Sequence, residues 1–458
     1  HSVAYNSDYC PYPYDPDRAI ELLAEAGQSD LVIDFPFVNV AYHPPVMEIL
    51  VAQLAAVGIT ASTRSEDLPT WLDRTWTQGN YEMSQITDSG PISQFGCEGG
   101  REPLGKSSQL CIPELEAMLT ASDTYVDRDE YLAAMAELTN TFADLAWVTA
   151  MFAPRTPQVA RADLAGIQAI RINNSFDIGN ITWSDGDAPV AEPAPVAEAA
   201  PAAEAADSRG TLLTLTLPQE PASWNYWEVG ANALRVPTFY NVQEALVENL
   251  PDGSIIPMLA EAWEVSDDGR VFTFTIREVK FHDGTDLDSA DVVYSLNKNA
   301  ESPLGKLSTV YGNVESVEAT DARTVVITLI NPSASFLPEM GWSAGYVVPE
   351  DSHEELDLAT QMPGTGPYVF GEYKPDTSLT MTRFADYWGE LPYFEDILFF
   401  FVDDETAALN GLKAGEYDIV TAVVGEGVDR VPTFIENDDF QVVFELGGEI
   451  SYIFLNHN

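Results

Sequence analysis

Alternating apolar and polar residues predict strands in both halves of the chain. Residues 211–217 and 271–277 (VFTFTIR) follow the two-residue period of a half-buried strand, and a turn at Asp283-Gly284 follows the second of them. Two further strand candidates, residues 31–40 and 59–63, lie in the first half. Both halves therefore contain sheet.

Apolar residues at helical spacing predict helices between these strands. In the first half, Asp15-Pro16 precedes RAIELLAEAG, and residues 45–58 and 130–145 carry similar stripes. In the second half, Asp288 and Asp291 precede VVYSLNK, as acidic groups do at a helix start. Because the helix at 45–58 lies between two strand candidates, the pattern predicts a βαβ-like, α/β fold.

A linker divides the chain. Residues 186–209 consist almost wholly of Ala, Pro, Glu and Val, a composition that cannot form a core and favours extended, semi-rigid conformations. With 458 residues, we expect at least two lobes with their own cores. The predicted blocks are residues 1–185 and 210–458.

The charge balance restricts the possible partners. The chain has 73 Asp and Glu against 21 Lys and Arg, a formal net charge of −52. Nucleic acid and anionic membrane surfaces are excluded as expected partners because they carry the same sign of charge. Such a surface is better tolerated where salt screens it, so a saline habitat and an acidic, highly soluble secreted protein are both consistent with it.

Two of the three cysteines lie in one loop-like stretch. Cys97 and Cys111 flank CEGGREPLGKSSQLC, and a disulfide closing this loop would contribute about 3 kcal/mol and place the protein outside the cytosol. The alternative is two unpaired thiols. Cys10 is left over, as a free, buried or externally paired thiol.

The sequence offers no enzymatic chemistry. The five histidines show no metal-ligand spacing, and no nucleophile, phosphate-loop or dinucleotide motif occurs. We therefore expect no catalytic residue, no metal and no cofactor, and assign His282 a structural role. No secretory signal or membrane-spanning stretch is visible, so we interpret the sequence as a mature or trimmed form.

Three segments resemble one family. They are LAEAWEVSDDGRVFTFTIREVKFHDGTDLDSADVVYSL at 259–296, GTGPYVFGEYKPDTSLTMTRFADYWGELPYFEDILFFFVDDETAALNGLKAGEYDI at 364–419, and YPYDPDRAIELLAEAG at 12–27. Together they resemble extracellular solute-binding protein family 5, which serves peptide and nickel ABC transporters. The resemblance implies an α/β, two-lobed fold of the type II periplasmic-binding-protein (Venus flytrap) kind with mixed sheets.

The resemblance also implies that the two halves stand in reversed order. Residues 210–458 match the family's first half, mostly lobe 1. Residues 1–185 match its second half, mostly lobe 2 with a return to lobe 1 after about residue 145, and a helical segment expected between Asn458 and His1 is missing. A circular permutant, a repeat cut from a tandem array and missing residues remain open explanations. We therefore expect a fold that is permuted or half-swapped.

The implied function is non-catalytic. Such a receptor, located in the periplasm, outside the cell or at its surface, captures a peptide or similar small solute between its lobes and delivers it to an ABC transporter permease. The alternative is a surface or assembly protein that reuses the fold in a tandem or swapped polymer. A copurifying ligand would favour the receptor, and chain-to-chain polymers would favour the assembly protein.

The resemblance supplies the candidate ligand-binding residues. In the segment 81–95, Asp88 with Thr87 and Ser89 corresponds to a family region that holds a peptide amino terminus, although Asp88 stands a few residues early and lacks the usual aromatic neighbour. The alternative for Asp88 is a solvated turn or helix cap. The other candidates lie in the second block: Trp224, Trp227, Asn232, Ala233, Gly448 and Glu449. The alternative for the two tryptophans is to seal the base of the first lobe.

Overall fold

A computed structural model describes most of the chain. The described residues are 9–39, 43–88, 113–122, 124–146, 148–152, 156–167, 177–184, 210–228, 232–250, 253–302, 304, 307, 310–423, 427–444 and 450–455. The linker at 186–209 lies outside them. No helix of this described part is long and apolar enough to cross a membrane.

The first block contains seven strands and five α-helices among its described residues. The strands are β1 Val32–Val38, β2 Thr60–Glu66, β3 Met83–Asp88, β4 Val148–Phe152, β5 Pro157–Arg161, β6 Leu164–Ala165 and β7 Thr182–Trp183. The helices are α1 Pro16–Glu25, α2 His43–Ala56, α3 Leu68–Leu72 with a π-helical turn Asp73–Thr77, α4 Pro113–Ser122 and α5 Arg128–Asp144.

The second block contributes thirteen strands and six short or medium α-helices among its described residues. The strands are β8 Leu212–Leu217, β9 Val247–Asn249, β10 Ile255–Pro257, β11 Ala260–Val265, β12 Val271–Ile276, β13 Val314–Asp321, β14 Thr324–Leu329, β15 Tyr368–Lys374, β16 Ser378–Arg383, β17 Asp396–Phe401, β18 Ile419–Val420, β19 Phe440–Phe444 and β20 Ile450–Leu455. The helices are α6 Asn232–Thr238, α7 Ser289–Ala300, α8 Phe336–Glu339, α9 Ser352–Glu355, α10 Glu405–Ala414 and α11 Val431–Ile435.

The helix starts that the sequence predicts are confirmed. The Asp15 side chain accepts a hydrogen bond from the Arg18 backbone N–H at 2.9 Å, and Pro16 occupies the first turn of α1. Asp288 and Asp291 form a reciprocal capping box at the start of α7. These caps pair amides that would otherwise have no partner within the helix.

A five-stranded sheet has the order β2-β1-β3-β20-β4. β1 is parallel to β2 and β3, so the predicted βαβ unit is confirmed, while β20 is antiparallel to both of its neighbours. Alternate β1 side chains, Ile33, Phe35 and Phe37, pack with Met47 of α2. Strand β20 adds Phe454, which meets Trp71 edge-on at 6.1 Å between ring centroids.

A seven-stranded sheet has the order β15-β16-β17-β8-β18-β5-β19, and an antiparallel four-stranded sheet has the order β11-β12-β14-β13. One hydrophobic cluster includes side chains from both sheets, such as Leu215 of β8 and Phe274 of β12, each 0% exposed. These sheets therefore share a core and form the larger of two bodies. The five-stranded sheet belongs to the smaller body. The mixed α/β class is confirmed.

A buried carboxyl joins three segments of this larger body. Glu244 is 0% exposed and accepts hydrogen bonds from Thr365 Oγ1 at 2.8 Å, Trp388 Nε1 at 2.9 Å and Tyr387 Oη at 2.9 Å. A Cβ on Gly364 would lie 1.9 Å from the Val242 carbonyl oxygen, so only glycine allows this approach. The junction therefore fixes the GTGPY turn, residues 364–368, against residues 241–244.

Burial gives Glu244 an unusual titration. Desolvation raises its pKa to about 7, although its three donors act in the opposite direction. The folded state therefore holds this proton more tightly than the unfolded chain, where a glutamate titrates near its ordinary value. The stabilising contribution is complete below the unfolded pKa and is lost as the pH rises through about 7.

Replacing Glu244 by Gln should remove this pH dependence. Gln keeps an acceptor for Trp388 and Thr365, and its amide can donate to the Tyr387 hydroxyl. Between pH 8 and pH 5, the free energy of unfolding of the unmodified protein should rise relative to that of Glu244→Gln by about 2 kcal/mol. Urea unfolding at the two pH values measures this difference, and parallel pH profiles would contradict it.

Candidate functional site

Two chain segments cross between the seven-stranded and five-stranded sheets. One runs from β19, which ends at Phe444, to β20, which begins at Ile450; the other runs from β4, which ends at Phe152, to β5, which begins at Pro157. Phe444 pairs with Pro157, and Ser451 pairs with Phe152. The described ends of the two crossings are therefore adjacent, and each block supplies one crossing. The return to the larger body lies between β4 and β5.

Two neighbouring connections between two bodies are a place where a hinge can be built. A few residues in such segments can absorb the backbone rotation while each sheet stays rigid. A cleft beside them is where a two-lobed protein encloses a small molecule. Residues 153–155 and 445–449 lie outside the described residues, and Gly448 and Glu449 are among them.

The backbone of β3 brings two predicted ligand-binding residues to these crossings. Asp88 is paired with Ile450, and Thr87 with Ser451, at the end of the five-stranded sheet where β20 begins. Ile450 directly follows Glu449 in the chain. The residue that follows Glu449 thus lies beside Asp88 at this end of the sheet, while Ser89 lies outside the described residues.

A buried glutamine and a buried serine form a hydrogen bond next to this end of the sheet. Gln85 of β3 donates from Nε2 to Ser451 Oγ of β20 at 2.8 Å, and both residues are 0% exposed. Gln85 Oε1 is buried without a hydrogen-bond partner in the part of the chain that the structure describes. The bond joins the two blocks directly beside the crossing, and the sequence analysis did not identify either residue.

Gln158 lies in the seven-stranded sheet, close to the end of the crossing that leads into β5. It is the second residue of β5, pairs with Val443 of β19 and is 1% exposed. Within the described structure, neither its Nε2 nor its Oε1 has a hydrogen-bond partner. A carboxamide can donate two hydrogen bonds and accept two, and leaving a buried polar group unpaired costs about 1–3 kcal/mol. The sequence did not reveal this burial, because the short strand PQVAR carries polar residues at two of its five positions.

The two candidate tryptophans pack into the core of the larger body. Trp224, 1% exposed, meets Phe370 and Tyr373 edge-on at 5.1 and 5.5 Å between ring centroids. Trp227, 4% exposed, stacks on Tyr226 at 4.7 Å. Both line a cavity of ≈ 10 Å³, a volume suited to about one water molecule. This burial favours the alternative in which they seal the lobe.

Asn232 and Ala233 are the first two residues of α6, which begins four residues after Glu228. The backbone of this short helix leads into the buried segment around Tyr240. The structure thus places both residues at a helix start in the larger body, and their contact with a ligand stays a prediction.

The cysteines and histidines give no site among the described residues. Cys97 and Cys111 lie outside the described ranges, whereas Cys10 is an exposed free cysteine. His282 donates from Nε2 to the Gly366 carbonyl at 2.9 Å, and burial lowers its pKa to about 4. This buried contact supports its structural role. No group of three or more His, Cys, Asp or Glu side chains in the described ranges could hold a metal ion.

Known proteins resemble parts of this chain. The dipeptide-binding protein of Escherichia coli (strain K12) is 30% identical over 196 residues, 36% of this chain and 36% of that protein. Heme-binding protein A of Haemophilus influenzae is 29% identical over 253 residues, 48% of this chain and 45% of that protein. The chain thus spans less than half the length of these relatives in each alignment.

Solved structures superpose on a similar share. The periplasmic binding protein DppA from Helicobacter pylori, in complex with peptide STSA, is 25% identical and matches with a TM-score of 0.45, covering 50% of this chain and 49% of that one. The family model for bacterial extracellular solute-binding proteins, family 5 (middle), matches residues 1–93 and 254–458. The family-model match takes in both blocks and more than half of the sequence, and the mixed α/β sheets agree with the two-lobed, type II fold that this family implies. The chain therefore belongs to the family 5 bacterial extracellular solute-binding proteins.

Proposed function

We propose that this protein is the substrate-binding component of an ABC transporter, which captures a peptide or similar small solute between its two bodies and delivers it to the permease. The observation that carries the proposal is the convergence at the crossings, where Asp88 is paired with Ile450, directly after the predicted residues Gly448 and Glu449. Its family membership supports the same function.

Uptake would proceed by rotation of the bodies about the two crossings. The open form admits the solute beside β3 and β20, and closure surrounds it and excludes water, which strengthens every polar contact inside. No covalent step is required. We infer a non-enzymatic protein that works outside the cytosol, in the periplasm or at the cell surface.

The polar groups at the crossings indicate the chemistry of the solute. A carboxylate at Asp88 suits a cationic amine, such as the amino terminus of a peptide, through charge-assisted hydrogen bonds. The carboxamide of Gln158 suits a group that both donates and accepts, such as a peptide amide. Curated relatives are a dipeptide-binding, a nickel-binding and a glutathione-binding protein, so solutes differ among the proteins this chain resembles.

We also propose the domain organisation in which residues 210–458 form the family's first half, 1–185 its second half, and 186–209 the linker, with the halves in reversed order. The alternative function, a surface protein that assembles by half-swapping, has less support. Pairing of β20 with β3 and β4 occurs within one chain, so completing the sheets needs no second copy.

Asp88→Asn should weaken binding of a cationic solute. Native mass spectrometry with a pool of short peptides first identifies a bound solute, and calorimetry then measures its affinity. Removing the charge should lower the affinity about tenfold or more, because hydrogen bonds to charged groups contribute about 1.5–3 kcal/mol. Asp267→Asn is the control, since Asp267 is exposed in the hairpin between β11 and β12. Equal affinities would remove Asp88 from the site, and no bound peptide would contradict the peptide proposal.

Gln158→Leu should separate stability from binding. Because leucine removes two unpaired buried polar atoms, the ligand-free protein should become more stable by about 1–3 kcal/mol while its affinity for the solute falls. The control is Gln28→Leu at an exposed position, which should change neither quantity. Unfolding in urea and calorimetry measure the two effects. A stabilised variant with unchanged affinity would show that Gln158 does not contact the solute.

A further inference from the structure

The five-stranded sheet, built mainly by the first block, contains one strand from the second block. Strand β20, from the second block, lies between β3 and β4, with six paired positions on the β3 side and four on the β4 side. Without it, β4 would lose its only neighbour in this sheet among the described strands. Phe454 of β20 also packs edge-on against Tyr81 at 5.4 Å. The second block therefore supplies both backbone hydrogen bonds and core side chains.

The second block depends on the first in the same way. Strand β5 lies between β18 and β19, and its residues Val159 and Ala160 are 0% exposed. Val159 belongs to one hydrophobic cluster with Leu409 and Phe434, whereas Ala160 belongs to the large cluster on the other side. Removing β5 would open both clusters and leave β19 without its neighbour in this sheet.

Residues after β5 anchor the first block further. Ile178, Ile181 and Trp183 are buried in the same cluster as Leu213 of β8. The Trp183 ring meets Phe394 edge-on at 5.3 Å. The two blocks are thus held together by a shared hydrophobic core and not by a surface contact.

The ends of the linker are neighbours in space. Trp183 donates from Nε1 to the Gly210 carbonyl at 3.1 Å, so the last described part of the first block touches the first described residue of the second. The described residues on either side of the Ala/Pro/Glu-rich segment are therefore close together, so the segment does not have to span a gap. As a covalent connection, the segment only raises the effective concentration of each block near the other.

We propose that the two blocks are each other's obligate binding partners, and that the linker is dispensable once they have associated. The interface consists of the reciprocal insertion of β20 and β5 and the docking of β7. A protein cut within 186–209 therefore remains one two-bodied particle made of two fragments. This inference is independent of which solute the protein binds.

The test is cleavage of the folded protein at a protease site placed within the linker. Size exclusion and native mass spectrometry should show both fragments in one particle. The unfolding midpoint of the cut protein should fall on dilution, because unfolding now separates two molecules, while that of the uncut protein should not change. Fragments that separate or precipitate without denaturant would overturn the proposal, as would a midpoint of the cut protein that is independent of concentration.

A variant locates the interface. In the cut protein, Trp183→Ala should weaken fragment association by on the order of 100-fold, the size expected for deleting a buried tryptophan. Tyr14→Ala is the matched control, because Tyr14 is 84% exposed, and it should leave the affinity unchanged. Equal fragment affinities in the two variants would contradict the docking of β7 as part of the interface.

Discussion

Reciprocal strand insertion between the two blocks is the interaction on which the rest of the structure depends. Strands β20 and β5 each lie in the interior of a sheet that is otherwise built by the other block. A central strand hydrogen-bonds on both edges and buries both faces, so neither sheet persists without it. The blocks divided by the linker are therefore not the two bodies of the fold. Each body contains strands from both blocks.

The two chain connections between the bodies follow from this insertion. The chain leaves the larger body between β19 and β20 and returns to it between β4 and β5. The described ends of these two segments are adjacent, and Asp88 is paired with Ile450, the first residue of β20. The larger body is stiffened by buried polar contacts such as those of Glu244 and His282.

Local features could be predicted from the sequence because their causes are local. The caps at Asp15 and Asp288, the alternation in β12 and the βαβ unit depend on residues close in the chain. The partnership of Gln85 with Ser451 spans 366 residues, and no periodicity encodes it. Burial of Gln158 and Glu244 is likewise set by neighbours far away in sequence, and polar residues are mostly exposed, so no local pattern reveals it. The family resemblance, not the pattern, directed attention to Asp88, Gly448 and Glu449.

Amide hydrogen exchange, followed by mass spectrometry on the unmodified protein, tests the inserted strands most directly. Peptides covering β20 and β5 should exchange only through global unfolding, and more slowly than the edge strand β2 by on the order of 100-fold, because both edges of each inserted strand are hydrogen-bonded. Exchange of β20 or β5 at the rate of β2 or faster would contradict the reciprocal insertion of the two blocks.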